Sequence, residues 1–318
     1  MSLSVAVIMT CYNEGPYIGA AVRSVLDQSR AELIEAIVIT DDGSDPATIA
    51  VLRDIEGWDA RIRILYGSGG LGPSGQRRRA IAETTAPVLA ILDGDDLWTH
   101  DKLERQMPAL AADEGIGLLY SDFFIFPDRD LDAARRAGVL DITRNTGLLR
   151  TYFLNDPPII PSTTLLRRSA YDAAGGFDPA LHVFEDTDIF LRLAAVTRFA
   201  LVDVPVLYKR QRGSSITGGR KDLMAHHAFV ALRAAAQAPA LLPLVPRRLA
   251  ERARKLGNQR FLLDDRHGAV ALLRLAVRLD PFNRRAWQSL VAAGLFPGLA
   301  LRLLGASGRA RQAAVKLA

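Results

Sequence analysis

The fold of this chain is decided by the stretch Leu92-Asp93-Gly94-Asp95-Asp96-Leu97-Trp98, which places three carboxylates within four residues. It ends the apolar run Val88–Leu92. A short apolar run bounded by Pro87 and Gly94 predicts a buried central strand, so the acids lie where that strand leaves its sheet. Open α/β sheets bind their ligands at this edge.

The three acids are expected to point in different directions. Side chains two apart on a strand share a face, so Asp93 and Asp95 point the same way, while Asp96 turns outward or caps the next element of the chain. Two converging carboxylates invite a divalent cation, Mg²⁺ or Mn²⁺. The alternative is a solvated acidic turn in which the acids only cap a helix.

Composition indicates a globular protein with one large core or two modest ones, since 49% of the 318 residues are hydrophobic and 24% are charged. Cys11 is the single cysteine and cannot form an internal disulfide. No leader pattern opens the chain, so we expect a reducing, cytoplasmic setting. The longest apolar candidate, Leu290–Leu301, contains Pro297 and falls short of the roughly 18 residues that span a bilayer.

The charge distribution favours an anionic partner other than nucleic acid. The net charge is +5, and the basic excess lies in the C-terminal third. No nucleic-acid motif accompanies it, so a surface for phosphate or lipid is the better interpretation.

Strands and helices alternate through residues 1–98, which predicts a mostly parallel sheet with helices on both faces and a nucleotide-binding half. The predicted strands here are Ser4–Thr10, Leu33–Thr40, Arg61–Tyr66 and Val88–Leu92. Asp45 is expected to cap the helix that begins at Pro46.

Residues 99–218 are predicted to form the acceptor-binding half. The predicted elements are a helix over Thr99–Ala112, a strand over Gly115–Asp122, an irregular excursion over Pro127–Asn155, a strand over Pro161–Leu166, a helix over Glu185–Val196, and strands over Phe199–Val202 and Val206–Arg210. Residues 219–318 change to Ala, Leu and Arg at helical spacing and predict a C-terminal helical appendage. Gly268–Pro281 followed by Trp287 has the rhythm of one helical-hairpin repeat, and one unit does not establish an array.

Six motifs in a fixed order resemble those of family-2 glycosyltransferases of the GT-A fold, over about the first 217 residues. They are Thr10-Cys11-Tyr12-Asn13-Glu14, Asp41-Asp42-Gly43-Ser44, Gly72-Pro73-Ser74-Gly75-Gln76-Arg77, Leu92-Asp93-Gly94-Asp95-Asp96, Gly175-Gly176-Phe177-Asp178, and Glu185-Asp186-Thr187-Asp188 with Leu191-Arg192.

The resemblance implies a nucleotide-sugar site at the first three motifs. Asp42 would accept the ring N–H of a uracil or thymine, and Thr10 and Tyr12 would line the base pocket with Glu14 beside them. Arg77 would hold phosphate oxygens. Without the family resemblance, Asp42 only begins a turn and Tyr12 is a packed aromatic. Arg78 stands where the family commonly has Asn, which leaves the ribose–diphosphate contact in doubt.

The acidic stretch acquires separate roles under the same resemblance. Asp95 is the principal metal ligand, and Asp93 supports the metal or the ribose. Asp96 is a scaffold or a helix cap. A site with one or two carboxylates suits Mg²⁺ or Mn²⁺ because the nucleotide diphosphate brings the remaining oxygens, so metal binding without nucleotide is expected to be weak.

The resemblance implies that the acids at the start of the predicted helix Glu185–Val196 include the catalytic base. Asp186 aligns with the family's catalytic base, and one base without a carboxylate nucleophile implies single displacement with inversion. Glu185 and Asp188 are further site candidates, although acids at a helix start also complement its dipole. Arg192 is interpreted as an i,i+4 partner of Asp188.

A closing loop over the diphosphate is expected at Tyr208–Thr217, where Arg210 and Arg212 stand in place of the usual His. A Ser/Gly-rich linker is the alternative there. The Gln-x-x-Arg-Trp signature of processive synthases is absent from the sequence, so transfer of a single sugar is expected.

The expected function is therefore metal-dependent, inverting transfer of one sugar from a nucleoside-diphosphate sugar, with uridine favoured, to a glycan or lipid-linked acceptor. A nucleotidyltransferase needs a G-x-G-x-x-x-R-type loop that Thr10–Asn13 does not supply. A binding module without turnover is the alternative of another class, and Asp95 and Asp186 argue against it.

The C-terminal region carries a separate expectation of peripheral membrane contact at the inner face. The segment is Leu290–Leu304 with Arg302, Arg309, Arg311 and Lys316. The alternative for these helices is a cap or a homodimer surface.

Overall fold

Nine strands form one mixed sheet in the part of the chain that the computed structural model describes, residues 3–144, 147–212 and 223–295. The strands are β1 Val5–Cys11, β2 Ile34–Asp41, β3 Ile62–Leu65, β4 Val88–Asp93, β5 Leu97–Trp98, β6 Ile116–Pro127, β7 Arg135–Arg136, β8 Leu165–Arg167 and β9 Arg198–Gln211. Their order is β3-β2-β1-β4-β8-β6-β9-β5, with β7 paired to β6. The predicted α/β class is confirmed.

The chain divides into two compact units. The sheet unit comprises Met1–Tyr152 and Asp156–Gln211, and the helical unit comprises Phe153–Asn155 and Arg212–Ala318. The predicted boundaries at residues 98 and 218 stay predictions.

Seven helices accompany the strands in chain order. They are α1 Gly15–Leu26, α2 Pro46–Ile55, α3 Gly72–Ala82, α4 Lys102–Ala112, α5 Leu148–Asn155, α6 Arg168–Ala173 and α7 Glu185–Val196. The predicted cap of α2 is present, because the Asp45 side chain accepts the backbone N–H of Thr48 at 2.7 Å. Buried apolar faces hold these helices against the sheet, as with Ile18, Val22 and Val25 of α1.

The parallel strands β1, β2 and β4 bring the motif residues to one edge. Val5–Met9 and Val88–Leu92 are almost completely buried, as expected for parallel strands covered on both faces. In the register, Thr10 lies opposite both Thr40 and Asp93. The polar residues at these three strand ends are therefore neighbours.

The predicted strand Pro161–Leu166 differs in the structure. Pro161–Thr163 is a 3₁₀ turn, and only Leu165–Arg167 pairs as β8. Pro161 lacks a ladder N–H, and the hydroxyls of Thr163 and Thr164 donate to the carbonyls of Ile160 and Pro161, which stabilises a turn instead.

The two last predicted strands are one strand. β9 runs through residues 203–205 without ending, and its pairing with β6 shifts register near Asp122. Such irregularities let a strand accommodate an extra residue, so Pro205 does not end the strand. The region predicted as irregular contains β7, a 3₁₀ turn at Leu131–Ala133, and α5.

The helical unit contains α8 Leu223–Gln237, a 3₁₀ segment Pro239–Leu244, α9 Val245–Leu262, α10 Arg266–Leu279 and α11 Arg284–Leu295. Small side chains let α9 and α10 approach closely, since a Cβ on Gly257 would lie 2.8 Å from Leu273 Cγ. No helix in the described part of the chain is long and apolar enough to cross a membrane. Arg302, Arg309, Arg311 and Lys316 of the predicted membrane-contact segment lie outside the described residues.

Candidate functional site

The loops that follow β1 and β2 are interlocked at the sheet edge. The backbone N–H of Asn13 donates to Ser44 Oγ at 2.9 Å, and the N–H of Asp45 donates to Asn13 Oδ1 at 2.8 Å. Asn13 has a φ of 55°, which Asn tolerates better than most residues. These contacts fix the surroundings of Tyr12, whose side chain is 58% exposed.

The two acids at the end of β2, Asp41 and Asp42, accept hydrogen bonds from different loops. Asp41 is buried and accepts the N–H groups of Gly43 and Ser44, so it builds the turn. Asp42 accepts the N–H of Leu71 at 2.8 Å with one oxygen and that of Gly72 at 2.9 Å with the other. Asp42 therefore fixes the glycine-rich loop to the end of β2, and its predicted contact with a base stays a prediction.

Gly94 has no side chain, which leaves room for the Glu14 carboxylate against the acidic turn. A Cβ at Gly94 would lie 2.2 Å from Glu14 Oε2 and 2.7 Å from the Thr10 carbonyl oxygen. Only glycine leaves that space, so the loop after β1 packs directly on the turn after β4. This brings the predicted site residues Thr10 and Glu14 next to Asp93 and Asp95.

Arg77 of α3 joins the acidic turn at the end of β4 to the start of α7. Its buried guanidinium donates to Asp93 Oδ1 and to Glu185 Oε1, both at 2.7 Å, and its side chain is 4% exposed. It also lies over the Phe177 ring, 5.5 Å from the centroid. Burial opposes the charge, but the two carboxylates raise the pKa of Arg77 above its usual value. The sequence predicted Arg77 and Glu185 as candidates without predicting this contact.

Asp93 is held in its ionised form. Burial alone would raise its pKa, but the charge and hydrogen bond of Arg77 outweigh burial and, with Lys209 and Ser162, lower the pKa below its usual value. Ser162 Oγ also accepts the Asp93 backbone N–H at 3.1 Å, and Trp98 Nε1 donates to the Ser162 carbonyl at 3.0 Å. The turn that replaced the predicted strand thus supports Asp93.

Asp96 points inward, so the outward direction among the predicted alternatives is wrong, while its predicted role as a scaffold residue stays a prediction. It is 2% exposed and accepts the backbone N–H of Arg210 at 3.0 Å. Burial, with the charges of Asp95 and Asp93, raises the pKa of Asp96 to about 8. Its hydrogen bond to the strand β9 accounts for its direction.

Arg210, a candidate diphosphate contact, is packed beneath the acidic turn. Its guanidinium lies 4.8 Å from the Tyr17 ring centroid and 4.6 Å from that of Phe126. Its Nε donates to the Asp95 carbonyl at 2.9 Å, and another nitrogen contacts Asp128. Arg212 follows β9, and residues 213–217 of the predicted closing loop lie outside the described residues.

Lys209 is a residue that the sequence analysis missed. Tyr208 stacks on Phe124 at 5.0 Å and Arg210 lies on Phe126, so Lys209 takes the opposite face of β9. Its charge favours the ionised forms of Asp93, Asp96 and Asp186. The predicted strand Val206–Arg210 contains Lys209, so alternation along it indicates this face, but the sequence analysis assigned Lys209 no role.

Asp186 lies in the first turn of α7. Phe184 precedes the helix with a φ of 56°, and Asp186 Oδ1 accepts the N–H of Thr187 at 2.6 Å. Burial and the neighbouring charge of Glu185 raise the pKa of Asp186 to about 6, against the opposing effects of the Thr187 N–H, Arg77 and Lys209. The carboxylate is still mostly ionised at neutral pH, as expected, although its environment is less ordinary than the sequence suggested.

Asp188 belongs to the scaffold of α7. It is 3% exposed and pairs with Arg192 at 2.6 Å in the predicted i,i+4 arrangement. Arg192 also donates to the Ala174 carbonyl, so the pair fixes α7 to the segment after α6.

The acidic turn offers hard oxygen ligands of the kind that Mg²⁺ and Mn²⁺ use. One oxygen of Asp93 is engaged by Arg77, and Asp95 stands beside it in the turn. No group of three or more His, Cys, Asp or Glu side chains suited to a metal occurs within the described residues. Asp93 and Asp95 fit a cation that takes its other ligands from phosphate and water.

Comparison with known proteins gives a consistent set of similarities. A family model described as "Glycosyl transferase family 2" matches residues 6–175, just over half of the chain. The chain is 38% identical over 103 residues to the putative teichuronic acid biosynthesis glycosyltransferase TuaG of Bacillus subtilis, covering 32% of this chain and 40% of the relative. It is 33% identical over 127 residues to the UDP-Glc:alpha-D-GlcNAc-diphosphoundecaprenol beta-1,3-glucosyltransferase WfgD of Escherichia coli, covering 40% of this chain and 48% of the relative. The chain thus spans less than half the length of these relatives.

The structural comparison concerns the fold alone. S. aureus TarS 1-349 in complex with UDP-GlcNAc is similar at a TM-score of 0.63 and 15% identity, covering 95% of this chain and 91% of that chain. The same protein in complex with UDP is similar at a TM-score of 0.60 and 16% identity, covering 99% of this chain and 90% of that chain.

Proposed function

The chain belongs to glycosyltransferase family 2, and we propose that it transfers one sugar from a nucleoside-diphosphate sugar, a UDP-sugar, to a hydroxyl of a glycan or lipid-linked acceptor. One observation carries this proposal. The hydrogen bonds from Arg77 to Asp93 and Glu185 join the acidic turn to the start of α7, where the base candidate Asp186 is the second residue. A sugar donor bound at the acidic turn would therefore lie next to an acceptor hydroxyl that Asp186 deprotonates.

Uracil as the base of the donor nucleotide is supported by two independent considerations. Asp42 presents carboxylate oxygens at the edge of the sheet, where a further lone pair can accept the ring N–H of uracil. WfgD is named for a UDP-glucose donor, and the fold is shared with TarS, which was solved with UDP and UDP-GlcNAc. Thr10, Tyr12 and Glu14 would complete the nucleotide pocket.

A divalent cation would be held by Asp95, with Asp93 supporting it. When bound, Mg²⁺ or Mn²⁺ supplies a Lewis acid that neutralises charge on the leaving diphosphate. Arg77 contributes by keeping Asp93 ionised and by fixing its direction. The diphosphate itself would supply the remaining oxygens, because two carboxylates do not complete an octahedral shell.

Asp186 would act as the general base. The acceptor hydroxyl oxygen attacks the anomeric carbon, the bond from that carbon to the phosphate oxygen breaks, and the hydroxyl proton passes to the Asp186 carboxylate. The nucleoside diphosphate leaves with the electron pair. This single displacement inverts the configuration at the anomeric carbon.

The acceptor is proposed to belong to cell-surface polysaccharide synthesis. TuaG is named for teichuronic acid biosynthesis and WfgD for a sugar–diphosphoundecaprenol acceptor. Such a lipid-linked acceptor fits a cytoplasmic protein that works at the inner face of the membrane, in line with the basic excess of the C-terminal third.

Release of nucleoside diphosphate from a panel of nucleotide sugars tests the proposal, with Mn²⁺ and lipid-linked or free glycan acceptors present. UDP release that needs an acceptor is expected. Asp186→Asn should lower it by about a hundredfold or more, because it removes the base. Asp172→Asn, at an exposed position on α6, is the matched control.

Metal dependence is tested in the same assay. Asp95→Ala should abolish the response to added Mn²⁺ that the parent shows. Turnover unchanged in Asp186→Asn would remove the assigned base, and binding of UDP without release of it from any donor would indicate a binding module.

A further inference from the structure

Ser162 contacts the chain on both sides of the acidic turn. Its Oγ accepts the backbone N–H of Asp93 at 3.1 Å, and its carbonyl oxygen accepts the indole N–H of Trp98 at 3.0 Å. Both Ser162 and Trp98 are buried. The position of Ser162 therefore determines where the turn begins and where it ends.

The next carbonyl group along the chain, that of Thr163, is fixed to helix α4. Gln106 Nε2 donates to it at 2.8 Å, and Lys102 Nζ donates to it at 3.2 Å. Gln106 Nε2 also donates to Ser121 Oγ at 2.8 Å, which ties the same amide to β6. A carbonyl oxygen has two lone pairs, so two donors satisfy it. The peptide that follows Ser162 is thus held by two side chains of α4.

Lys102 is completely buried, which is rare for a lysine. Its Nζ also donates to Gln106 Oε1 at 2.5 Å and lies 5.0 Å from the centroid of the Trp98 ring. Both acceptors of Lys102 are neutral oxygens, so hydrogen bonds rather than an ion pair with these partners account for its position. The amine orients Gln106, holds Thr163 and packs on Trp98, and all three contacts fix the surroundings of Ser162.

We propose that Lys102 is a positioning residue for the metal-dependent part of nucleotide binding. It acts through the Thr163 carbonyl and Ser162, which hold the acidic turn in the geometry that a divalent cation and a diphosphate need. Cations such as Mg²⁺ demand near-ideal ligand geometry, so a small displacement of the turn weakens their binding. The inference rests on the proposed function, because it requires a metal and a nucleoside diphosphate at the turn.

The experiment measures UDP dissociation constants by titration calorimetry for the parent and Lys102→Met, once with saturating Mn²⁺ and once with EDTA. Methionine fills the space of the buried stem but donates no hydrogen bond. With Mn²⁺, Lys102→Met should bind UDP about tenfold more weakly than the parent, which is the usual effect of losing a group that orients a metal ligand. With EDTA the two proteins should agree within about twofold, because the contacts to the base do not depend on the turn.

Arg167→Met is the matched control for a loss of packing. The Arg167 side chain also donates to backbone carbonyls, those of Leu110 at 2.5 Å and Ile116 at 2.9 Å, and it joins β8 to the other end of α4. Both variants should lower the urea midpoint, but Arg167→Met should keep the UDP affinity with Mn²⁺ within about twofold of the parent. An equal loss of this affinity in both variants would indicate general destabilisation and overturn the inference.

Ser162→Ala tests the path by which Lys102 acts. It removes the oxygen that accepts the Asp93 N–H, so it should itself weaken UDP binding with Mn²⁺ by about tenfold. In that background Lys102→Met should weaken binding by less than about threefold more, because the two changes act on one link. A further tenfold loss, to about a hundredfold in total, would overturn the path through Ser162.

The indole N–H of Trp98 reports the position of the turn without any ligand. The chain has three tryptophans, so their ¹⁵N-labelled indole signals can be assigned by substitution. In Lys102→Met the Trp98 N–H should exchange with deuterated water about tenfold faster than in the parent, because its acceptor on Ser162 is less firmly held. The N–H of Trp58, which donates to Asp54 at 3.0 Å, should exchange at the same rate in both proteins.

The inference is overturned if Lys102→Met keeps the parent's UDP affinity with Mn²⁺, if it loses affinity equally with Mn²⁺ and with EDTA, or if Trp98 exchange is unchanged. A parent whose UDP binding does not respond to Mn²⁺ would instead overturn the metal dependence of the proposed function, and the inference with it. The response of the parent therefore separates the two failures.

A second variant covers the case in which Lys102→Met does not fold. Gln106→Leu removes the other donor to the Thr163 carbonyl, so the same loss of UDP affinity with Mn²⁺ and the same unchanged affinity with EDTA are expected. A Gln106→Leu protein with the full Mn²⁺ response of the parent overturns the inference.

Discussion

Three aspartates within one centre acquire different protonation behaviour from their immediate surroundings. Arg77 keeps the pKa of Asp93 low, whereas burial raises the pKa of Asp186 to about 6 and that of Asp96 to about 8. Under the proposed function, these values would make Asp93 a charged metal ligand, Asp186 a base that titrates just below neutrality and Asp96 a protonated scaffold residue.

The raised pKa of Asp186 predicts an acid limb in the rate profile. The base works only when deprotonated, so kcat/KM should fall about tenfold per pH unit below pH 6 and stay level above it. The measurement is UDP release between pH 4.5 and pH 8. A kcat/KM that stays level from pH 8 down to pH 5 would contradict the effect of burial, and the residual rate of Asp186→Asn should show no limb at pH 6.

Arg77 predicts a large stability effect. In Arg77→Met, Asp93 and Glu185 lose their shared partner, and the free energy of unfolding should fall by about 3–5 kcal/mol in urea unfolding at pH 7.5. Arg77→Lys should recover only part of the loss, because an ammonium lacks the fork that reaches both carboxylates. Arg53→Met, at an exposed position on α2, should change stability by less than about 0.5 kcal/mol. A loss of similar size in both Met variants would count against a special role for Arg77.

At the level of the elements, the hydrogen bond from Arg210 to Asp96 joins β9 to the turn after β4. Asp96→Ala leaves the partly buried Arg210 N–H without its acceptor and should lower the free energy of unfolding by about 1–3 kcal/mol. Asp96→Asn keeps an oxygen at that place and should lower it less. Urea unfolding of both variants makes the comparison, and equal losses would mean that the hydrogen bond is not the cause.

Much of the first half was predictable from sequence because the relevant signals are local. The runs Val5–Thr10 and Val88–Leu92 are apolar and end in polar residues, so both the strands and the edge they share follow from their pattern. The cap at Asp45 and the ion pair of Asp188 with Arg192 obey short-range spacing rules in the same way.

The features of the site that the sequence did not predict depend on contacts between residues far apart in the chain. Local hydrophobic periodicity carries no information about such contacts. Ser162 supports Asp93 across 69 positions, and Asp96 meets Arg210 across 114. The direction of Asp96 follows from the second of those contacts. A sequence pattern predicts which residues alternate along a strand, but not which strand lies opposite.

At the scale of the whole chain, the helical unit should respond to acid through His227. Burial, with nearby Arg248 and Lys255, lowers the pKa of His227 to about 3. Between pH 6.5 and 3 the unfolded chain binds a proton that the folded chain does not, so stability is lost as the pH falls below 6.5. The loss at pH 5 is about 2 kcal/mol.

Urea unfolding followed by circular dichroism at pH 7.5 and pH 5 measures this sensitivity. His227→Gln should be less sensitive to the pH change than the parent by about 2 kcal/mol. His182→Gln, at an exposed position in the sheet unit, should behave as the parent does. A parent and a His227→Gln variant with equal pH sensitivity would contradict the prediction.

The bond from Arg77 to Glu185 also has a consequence for biosynthesis, because it joins residues 108 positions apart. A ribosome must release α7 before Arg77 meets its second carboxylate, so a growing chain that has already formed β1, β2 and β4 still lacks the assembled centre. Pairing across such a distance closes a long loop, which favours late formation. Translation that stalls before residue 185 would therefore leave Arg77 with one of its two carboxylate partners and the acidic turn without its connection to α7.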